Sequence, residues 1–207
     1  MKNILIKGLN LKHLVIGHDH HFGRNRTANI TQLMEYSKLY DFKVTQVDAF
    51  KLNGISVSST KIRSLIKDGN IDLANRFLGY NMFLSGTVVA GKGRGKKIGF
   101  PTANIILDQL KIKPGNGVYL ISSTFTGIKI YGMMNIGNNP TFDDKIPSIE
   151  VHFFDFDKKI YDENISIQII TRIRSEIKFS SSNELSNQLI EDKKKCIEFI
   201  SRNKKSP

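Results

Sequence analysis

A chain of 207 residues, 40% hydrophobic and 24% charged, carries enough apolar material to bury a core as one domain or as two small ones. No window approaches 18 uncharged apolar residues, and the first 15 residues lack a signal peptide's apolar core and cleavage site, so the chain reads as cytoplasmic with no membrane partner. The net charge of +12 suggests nucleic acid, but residues 1–80 hold 12 basic and 6 acidic side chains and residues 81–207 hold 19 and 13. An excess spread this evenly describes a solvated surface and argues against a dedicated nucleic-acid function.

Up to Tyr80, short apolar runs alternate with helical stretches. "HLVIG" (13–17) predicts a buried strand, "ITQLMEYSKLY" (30–40) a helix and "FKVTQV" (42–47) an alternating strand. "SSTKIRSLIKDG" (58–69) and "NIDLANRFLG" (70–79) predict two short helices, each with a capping residue at its start and a glycine at its end. This order predicts an α/β layer with parallel strands. After Tyr80 the pattern becomes β, with strands expected at 83–90, 117–124, 128–136, 148–156 and 165–173, separated by turn signals such as "KPGNG" and "IGNNPT". Closely spaced antiparallel strands suggest a small barrel, which removes exposed sheet edges. Ser181 and Glu184 form a capping-box pattern ahead of a closing helix, along which Leu185, Leu189, Cys196 and Ile200 make an apolar stripe. Cys196, the only thiol, excludes an internal disulfide and reads as a buried spacer. Two domains are expected, 1–80 and 81–207, with no internal repeat and no long linker.

The stretch "GKGRGKKIGFPTANI" (91–105) crowds four glycines and four cations into its first nine residues. Glycine N–H groups can approach an anion closely, and lysines neutralise phosphate charge, which makes Gly91, Lys92, Gly93, Gly95, Lys97 and Gly99 candidates for a polyphosphate. The spacing matches neither common nucleotide-binding pattern, and a solvated cationic hairpin is the alternative. Pro101 would fix the entry to an extended segment in which Thr102 and Asn104 share a face. Their hydroxyl and amide oxygens are hard ligands of the kind Mg²⁺ accepts beside phosphate, although a Pro-initiated turn would also use them. Glu150 and His152 in "SIEVHFF" likewise share a face, and Glu150 could serve as a general base or simply mark an edge strand. In "GHDHHFG", His18 and His20 alternate, but no Cys or Glu falls at ligand spacing, which argues against a metal there. Ser58, Ser59 and Thr60, with Arg63 one turn on, could hold a phosphate at a helix N-terminus or could simply cap it.

"GTVVAGKGRGKKIGFPTANI", "NGVYLI", "GMMNIGNNPTF", "IEVHFFDFDKKIYDENI" and "RIRSEIKFSSSNELSNQL" resemble, in order and spacing, the riboflavin kinase module of the prokaryotic bifunctional riboflavin kinase/FAD synthetase family, over about residues 81–195. The first part is similar to the C-terminal portion of that family's FMN adenylyltransferase module. Gly17, Asp19, Phe22 and Gly23 match its Gly-x-Asp-x-x-Phe-Gly segment, and Ser58, Ser59, Thr60 and Arg63 match its Ser-Ser-Thr-x-x-Arg motif.

The resemblance implies an α/β remnant of a Rossmann-like nucleotidyltransferase domain, then a small antiparallel β-barrel with a C-terminal helix. It implies transfer of the ATP γ-phosphoryl group to riboflavin, giving FMN, with 91–99 over the phosphates, Thr102 and Asn104 on Mg²⁺ and Glu150 as base; His152 beside it reads as a structural partner rather than a catalyst. Arg174, Glu176, Phe154 and Phe179 could shape the flavin side, or could be ordinary surface charge and core packing. The family's His-x-Gly-His motif does not occur in the chain, so a truncated or fragmentary adenylyltransferase and impaired FAD synthesis are expected. Two alternatives remain open: a non-catalytic flavin- or nucleotide-binding remnant, and a basic barrel for single-stranded nucleic acid. The latter needs aromatic stacking platforms, and 91–105 holds only Phe100.

Overall fold

The computed structural model describes residues 2–17, 30–91, 93–107, 112–137 and 148–203. The chain forms two compact units, Met1–Val57 and Ser58–Pro207.

In the first unit a π-helical stretch, Lys2–Gly8, precedes strand β1 (His13–Gly17), helix α1 (Ile30–Tyr40) and strand β2 (Lys43–Val47). β1 and β2 pair in parallel with Val15 opposite Thr45, as the strand–helix–strand order predicts. A two-residue turn then joins β3 (Lys51–Leu52) to β4 (Ile55–Ser56). Asn53 and Gly54 at its centre both have positive φ, 50° and 78°, the conformation that an Asn-Gly hairpin turn demands. This hairpin is absent from the sequence expectations.

The second unit opens with helix α2 (Ser59–Lys67), whose N-cap Ser58 accepts a hydrogen bond from the Lys61 amide at 3.3 Å. Helix α3 (Ile71–Leu78) is capped by Asn70 and stopped by Gly79, which adopts the left-handed conformation at φ 79°. Asn75 stitches α3 to the strands. Its amide donates to the carbonyls of Ile169 and Ile170 at 2.9 and 3.2 Å, and its oxygen accepts from the Met82 amide at 2.8 Å. Helices α2 and α3 therefore belong to the second compact unit, whereas the sequence sets the domain boundary at 80/81.

Six antiparallel strands close a barrel: β5 (Phe83–Val89), β6 (Ala103–Leu107), β7 (Gly117–Phe125), β8 (Ile128–Gly137), β9 (Ser148–Phe153) and β10 (Asn164–Ser175). Their order is β10-β5-β6-β9-β8-β7, with β7 returning to β10. The sequence predicts five of these strands; β6 is the addition, and β9 ends at Phe153 rather than at 156. Alternate residues face inward, so Leu84, Val88, Ile105, Leu107, Met134, Ile136, Val151 and Phe153 fill the interior, and Ile66, Ile71 and Ala74 of the two helices join the same cluster. A one-turn helix, α4 (Arg94–Lys97), sits in the loop between β5 and β6.

Helix α5 (Ser182–Asn203) covers part of the outer barrel surface. There Phe100, Val118, Leu120, Met133, Phe154 and Cys196 form a second buried cluster, joined by Leu189, Phe199 and Ile200. Cys196 is fully buried, which pushes its thiol up to about 12 and leaves it an inert spacer. At the start of α5 the Ser181 hydroxyl accepts from the Glu184 amide at 3.2 Å. The Glu184 carboxylate reaches one residue further back than a capping box does, to the amide and hydroxyl of Ser180. Among the described residues no helix is long and apolar enough to cross a membrane.

Candidate active site

The site begins with a cross-strand row. Asn104 on β6 stands opposite Glu150 on β9, and Glu150 stands opposite Asn135 on β8, so the three side chains share one barrel face. Their neighbours Met134, Ile136 and Val151 point into the core, which fixes that face as the outer one. Thr102, two residues before Asn104, donates its hydroxyl to Glu150 Oε2 at 3.4 Å. Thr102, Asn104 and Glu150 are all half-buried.

The glycine-rich loop lies against this row, and its glycines act in two ways. A Cβ on Gly91 would collide with the Asn104 amide, so the backbone passes directly over that side chain. Gly93 and Gly99 have φ of 67° and 82°, a region that L side chains disfavour. The turn is closed by the Gly95 carbonyl, which accepts from the amides of Ile98 and Phe100 at 3.1 and 2.8 Å. Lys92 lies outside the described residues, as do the side chains of Arg94 and Lys97.

Phe100 ends the loop buried under α5, with its ring 5.1 Å from that of His152 in an edge-on arrangement. His152 Nδ1 lies 2.8 Å from the Pro101 carbonyl oxygen. Burial is the main cause holding the imidazole pKa below its ordinary value; Lys193 pushes the same way, while the Pro101 hydrogen bond and Asp155 oppose.

The flavin-side candidates have other partners. Arg174 Nε bonds both carboxylate oxygens of Asp192 on α5, at 3.1 and 2.8 Å, and its guanidinium stacks 5.6 Å from the Phe179 ring. Phe154 is buried with Lys193 over its ring. Glu176 is exposed and accepts from the Asn116 amide at 2.9 Å. Of the adenylyltransferase-like residues, Gly17 ends β1 opposite Val47, while Asp19, Phe22, Gly23, His18 and His20 lie outside the described residues. Ser58 acts as a helix cap, and Ser59, Thr60 and Arg63 are exposed on the first turns of α2. Among the described residues no group of three His, Cys, Asp or Glu side chains could hold a metal.

Asn135 was missed in the sequence. The signal was present in "GMMNIG", where Met134 and Ile136 face inward and therefore turn Asn135 outward, but its place beside Glu150 depends on the β8–β9 register.

The chain is similar to known proteins. The riboflavin kinase family profile matches residues 78–200, and a profile for FAD synthetase matches residues 1–61. The bifunctional riboflavin kinase/FMN adenylyltransferase of Buchnera aphidicola is 40% identical over 196 residues, covering 93% of this chain and 62% of the relative. That of Bacillus subtilis is 38% identical over 205 residues, covering 97% and 64%. A crystal structure described as a macrolide-efflux protein from Streptococcus pneumoniae superposes with a TM-score of 0.80 at 35% identity, covering 91% of this chain and 61% of that one. The chain thus spans slightly less than two thirds of the length of these relatives. With the riboflavin kinase profile matched over more than half of its residues, the chain belongs to the riboflavin kinase family.

Proposed function

We propose that residues 81–207 form a riboflavin kinase domain that transfers the γ-phosphoryl group of ATP to the terminal ribityl hydroxyl of riboflavin, releasing ADP and FMN. Residues 1–80 correspond, in this reading, to the C-terminal part of an FMN adenylyltransferase-like domain, with Gly17, Asp19, Phe22, Gly23, Ser58, Ser59, Thr60 and Arg63 as its nucleotide-side residues. A cytoplasmic setting, where ATP is supplied, goes with it. The observation that carries the proposal is the placement of Glu150 between Asn104 and Asn135, in contact with Thr102 and beside a glycine turn packed on Asn104.

Phosphoryl transfer asks a protein mainly for positioning and charge stabilisation. Glu150 accepts the proton of the attacking hydroxyl as its oxygen bonds to the γ-phosphorus and the bond to ADP breaks. The loop from Gly91 to Gly99 covers the phosphates, with backbone N–H groups and Lys92 and Lys97 as their partners. Thr102 and Asn104 fit Mg²⁺: each presents a hard oxygen, and the carboxylate of Glu150 adds negative charge beside them. When bound, that ion would neutralise charge on the transferring phosphate. Glu176 is the flavin-side candidate with an exposed carboxylate, while Arg174 and Phe154 support that side by seating α5.

The nucleic-acid reading is not favoured, because Phe100, the only aromatic residue of the basic loop, is 8% exposed and is not available as a stacking platform. The test is to incubate the chain with riboflavin, ATP and Mg²⁺ and separate the flavins by chromatography. FMN is expected. Riboflavin bound but unconverted would replace this reading with a flavin-binding remnant.

A further inference from the structure

Strand β9 holds more of the site than its glutamate. Pro101 has no N–H to donate, so the segment leading into β6 must be tied through its carbonyls and its neighbours. The Pro101 carbonyl oxygen only accepts, and it lies 2.8 Å from His152 Nδ1; Nδ1 therefore carries the proton and donates it. The ring itself is held edge-on between two phenyl groups, Phe100 at 5.1 Å and Phe154 at 5.9 Å, both buried under α5.

Three consecutive residues thereby meet β9 and its neighbours. Phe100 is held by ring packing, Pro101 by the His152 N–H and Thr102 by the Glu150 carboxylate. His152 and Glu150 lie two apart on β9, on one face and about 6.7 Å apart along the strand. One strand thus fixes both the proposed base and the peptide carrying the hydroxyl that meets it.

We propose that His152 is a positioning residue: its Nδ1–H clamps the Pro101 carbonyl and so keeps the Thr102 hydroxyl on Glu150. The inference rests on the kinase reading for its consequence in catalysis, but the clamp itself can be observed without turnover.

Two variants separate a clamp from a space-filling ring. His152→Asn keeps an N–H donor where Nδ1 stands and loses the ring, while His152→Leu fills the space and loses the donor. A clamp predicts that kcat falls about tenfold in His152→Leu, with the KM for riboflavin unchanged, and returns to within about threefold of wild type in His152→Asn. A packing role predicts the reverse order. The local readouts are the tautomer of His152, read from long-range ¹⁵N–¹H spectra, and the amide shift of Thr102. The expected results are an Nδ1–H tautomer and a Thr102 shift displaced in His152→Leu but retained in His152→Asn. An Nε2–H tautomer, a wild-type kcat in His152→Leu, or an asparagine variant as impaired as the leucine variant would each overturn the proposal. A wild-type chain that forms no FMN would overturn the kinase reading instead, and the spectra would still decide on the clamp.

Discussion

Thr102 and Glu150, 48 residues apart in the chain, meet across the β6–β9 seam, where the threonine hydroxyl donates to the carboxylate at 3.4 Å. A hydrogen bond of that length is weak and leaves most of the carboxylate's accepting capacity for another donor, such as a substrate hydroxyl. Glu150→Gln keeps the shape and removes the base. FMN formation should fall at least about a hundredfold. The melting temperature should stay within about 2 °C, because the position is half-buried and carries no core packing. Retained turnover in the purified variant would remove Glu150 from the mechanism.

Gly91 and Gly93 make a matched pair for testing the loop. An alanine at 91 must push the Asn104 amide aside, whereas an alanine at 93 meets open space and suffers only from its φ of 67°. Both should destabilise modestly, by about 1–3 kcal/mol for the overpacked site and about 1–2 kcal/mol for the left-handed one. Activity should separate them, with Gly91→Ala losing more than about tenfold in kcat/KM for ATP through the displaced Asn104, and Gly93→Ala losing less. Urea unfolding alongside steady-state kinetics decides it, and equal losses of activity would disconnect Asn104 from the site.

Much of the fold was legible where a local signal specifies it. Ser58, Asn70 and Gly79 mark the bounds of α2 and α3, and the Ser181–Glu184 pattern marks the start of α5. The Asn53-Gly54 hairpin carries an equally local signal, a dipeptide whose two positive φ angles suit a tight hairpin turn. Strand β6 shows in the sequence only as the extended segment after Pro101, because "ANIIL" is short and carries an exposed Ile106 that breaks its alternation. The helices α2 and α3 show the same apolar faces whichever strands they cover; Ile66, Ile71 and Ala74 join the barrel core, and Asn75 ties α3 to carbonyls 94 and 95 residues away, contacts that no local pattern encodes. At the site, Thr102, Asn104 and Glu150 could be chosen from residue type and spacing. That they stand together, with Asn135 as a further neighbour, is a matter of strand register, which no local pattern encodes.

That Asn75 stitch gives its own test. Asn75→Leu would strand the Met82 amide, which is bonded to the asparagine oxygen at 2.8 Å, and would leave the carbonyls of Ile169 and Ile170 without their donor. Each buried polar group left unpaired costs about 1–3 kcal/mol, so a total loss of about 3 kcal/mol is expected by chemical denaturation. A change below about 1 kcal/mol would mean that water replaces the amide and that α3 is held by its apolar face alone.

The Arg174–Asp192 pair tests whether the flavin-side candidate is a latch. Asp192 is wholly buried, so Arg174→Ala leaves its carboxylate with the Gln188 amide, at 2.9 Å, as its side-chain donor among the described residues. A loss of about 3–5 kcal/mol is expected, and combining Arg174→Met with Asp192→Leu should recover most of it by removing both charges together. If the double variant is stable and its KM for riboflavin is unchanged, Arg174 serves α5. A KM raised about tenfold or more in a stable double variant would return Arg174 to the flavin.

Stability near neutral pH should carry the mark of His152. Burial lowers its pKa below the ordinary value of 6.5, so the unfolded chain takes up a proton at this residue more readily than the folded chain does. The folded state therefore loses stability as the pH falls from about 6.5 towards the lowered value, and the loss levels off below it. Glu184, whose carboxylate is lowered by its bonds to Ser180, acts in a separate window: its contribution is present above its ordinary value of 4.5 and is lost on further acidification. Comparing urea midpoints at pH 7.5 and 5.5 isolates the histidine. Wild type should lose more stability between the two than His152→Asn, which has no imidazole to protonate. An identical loss in both would place the acid sensitivity on another group and would mean that the His152 ring takes a proton in the folded state as readily as in the unfolded one.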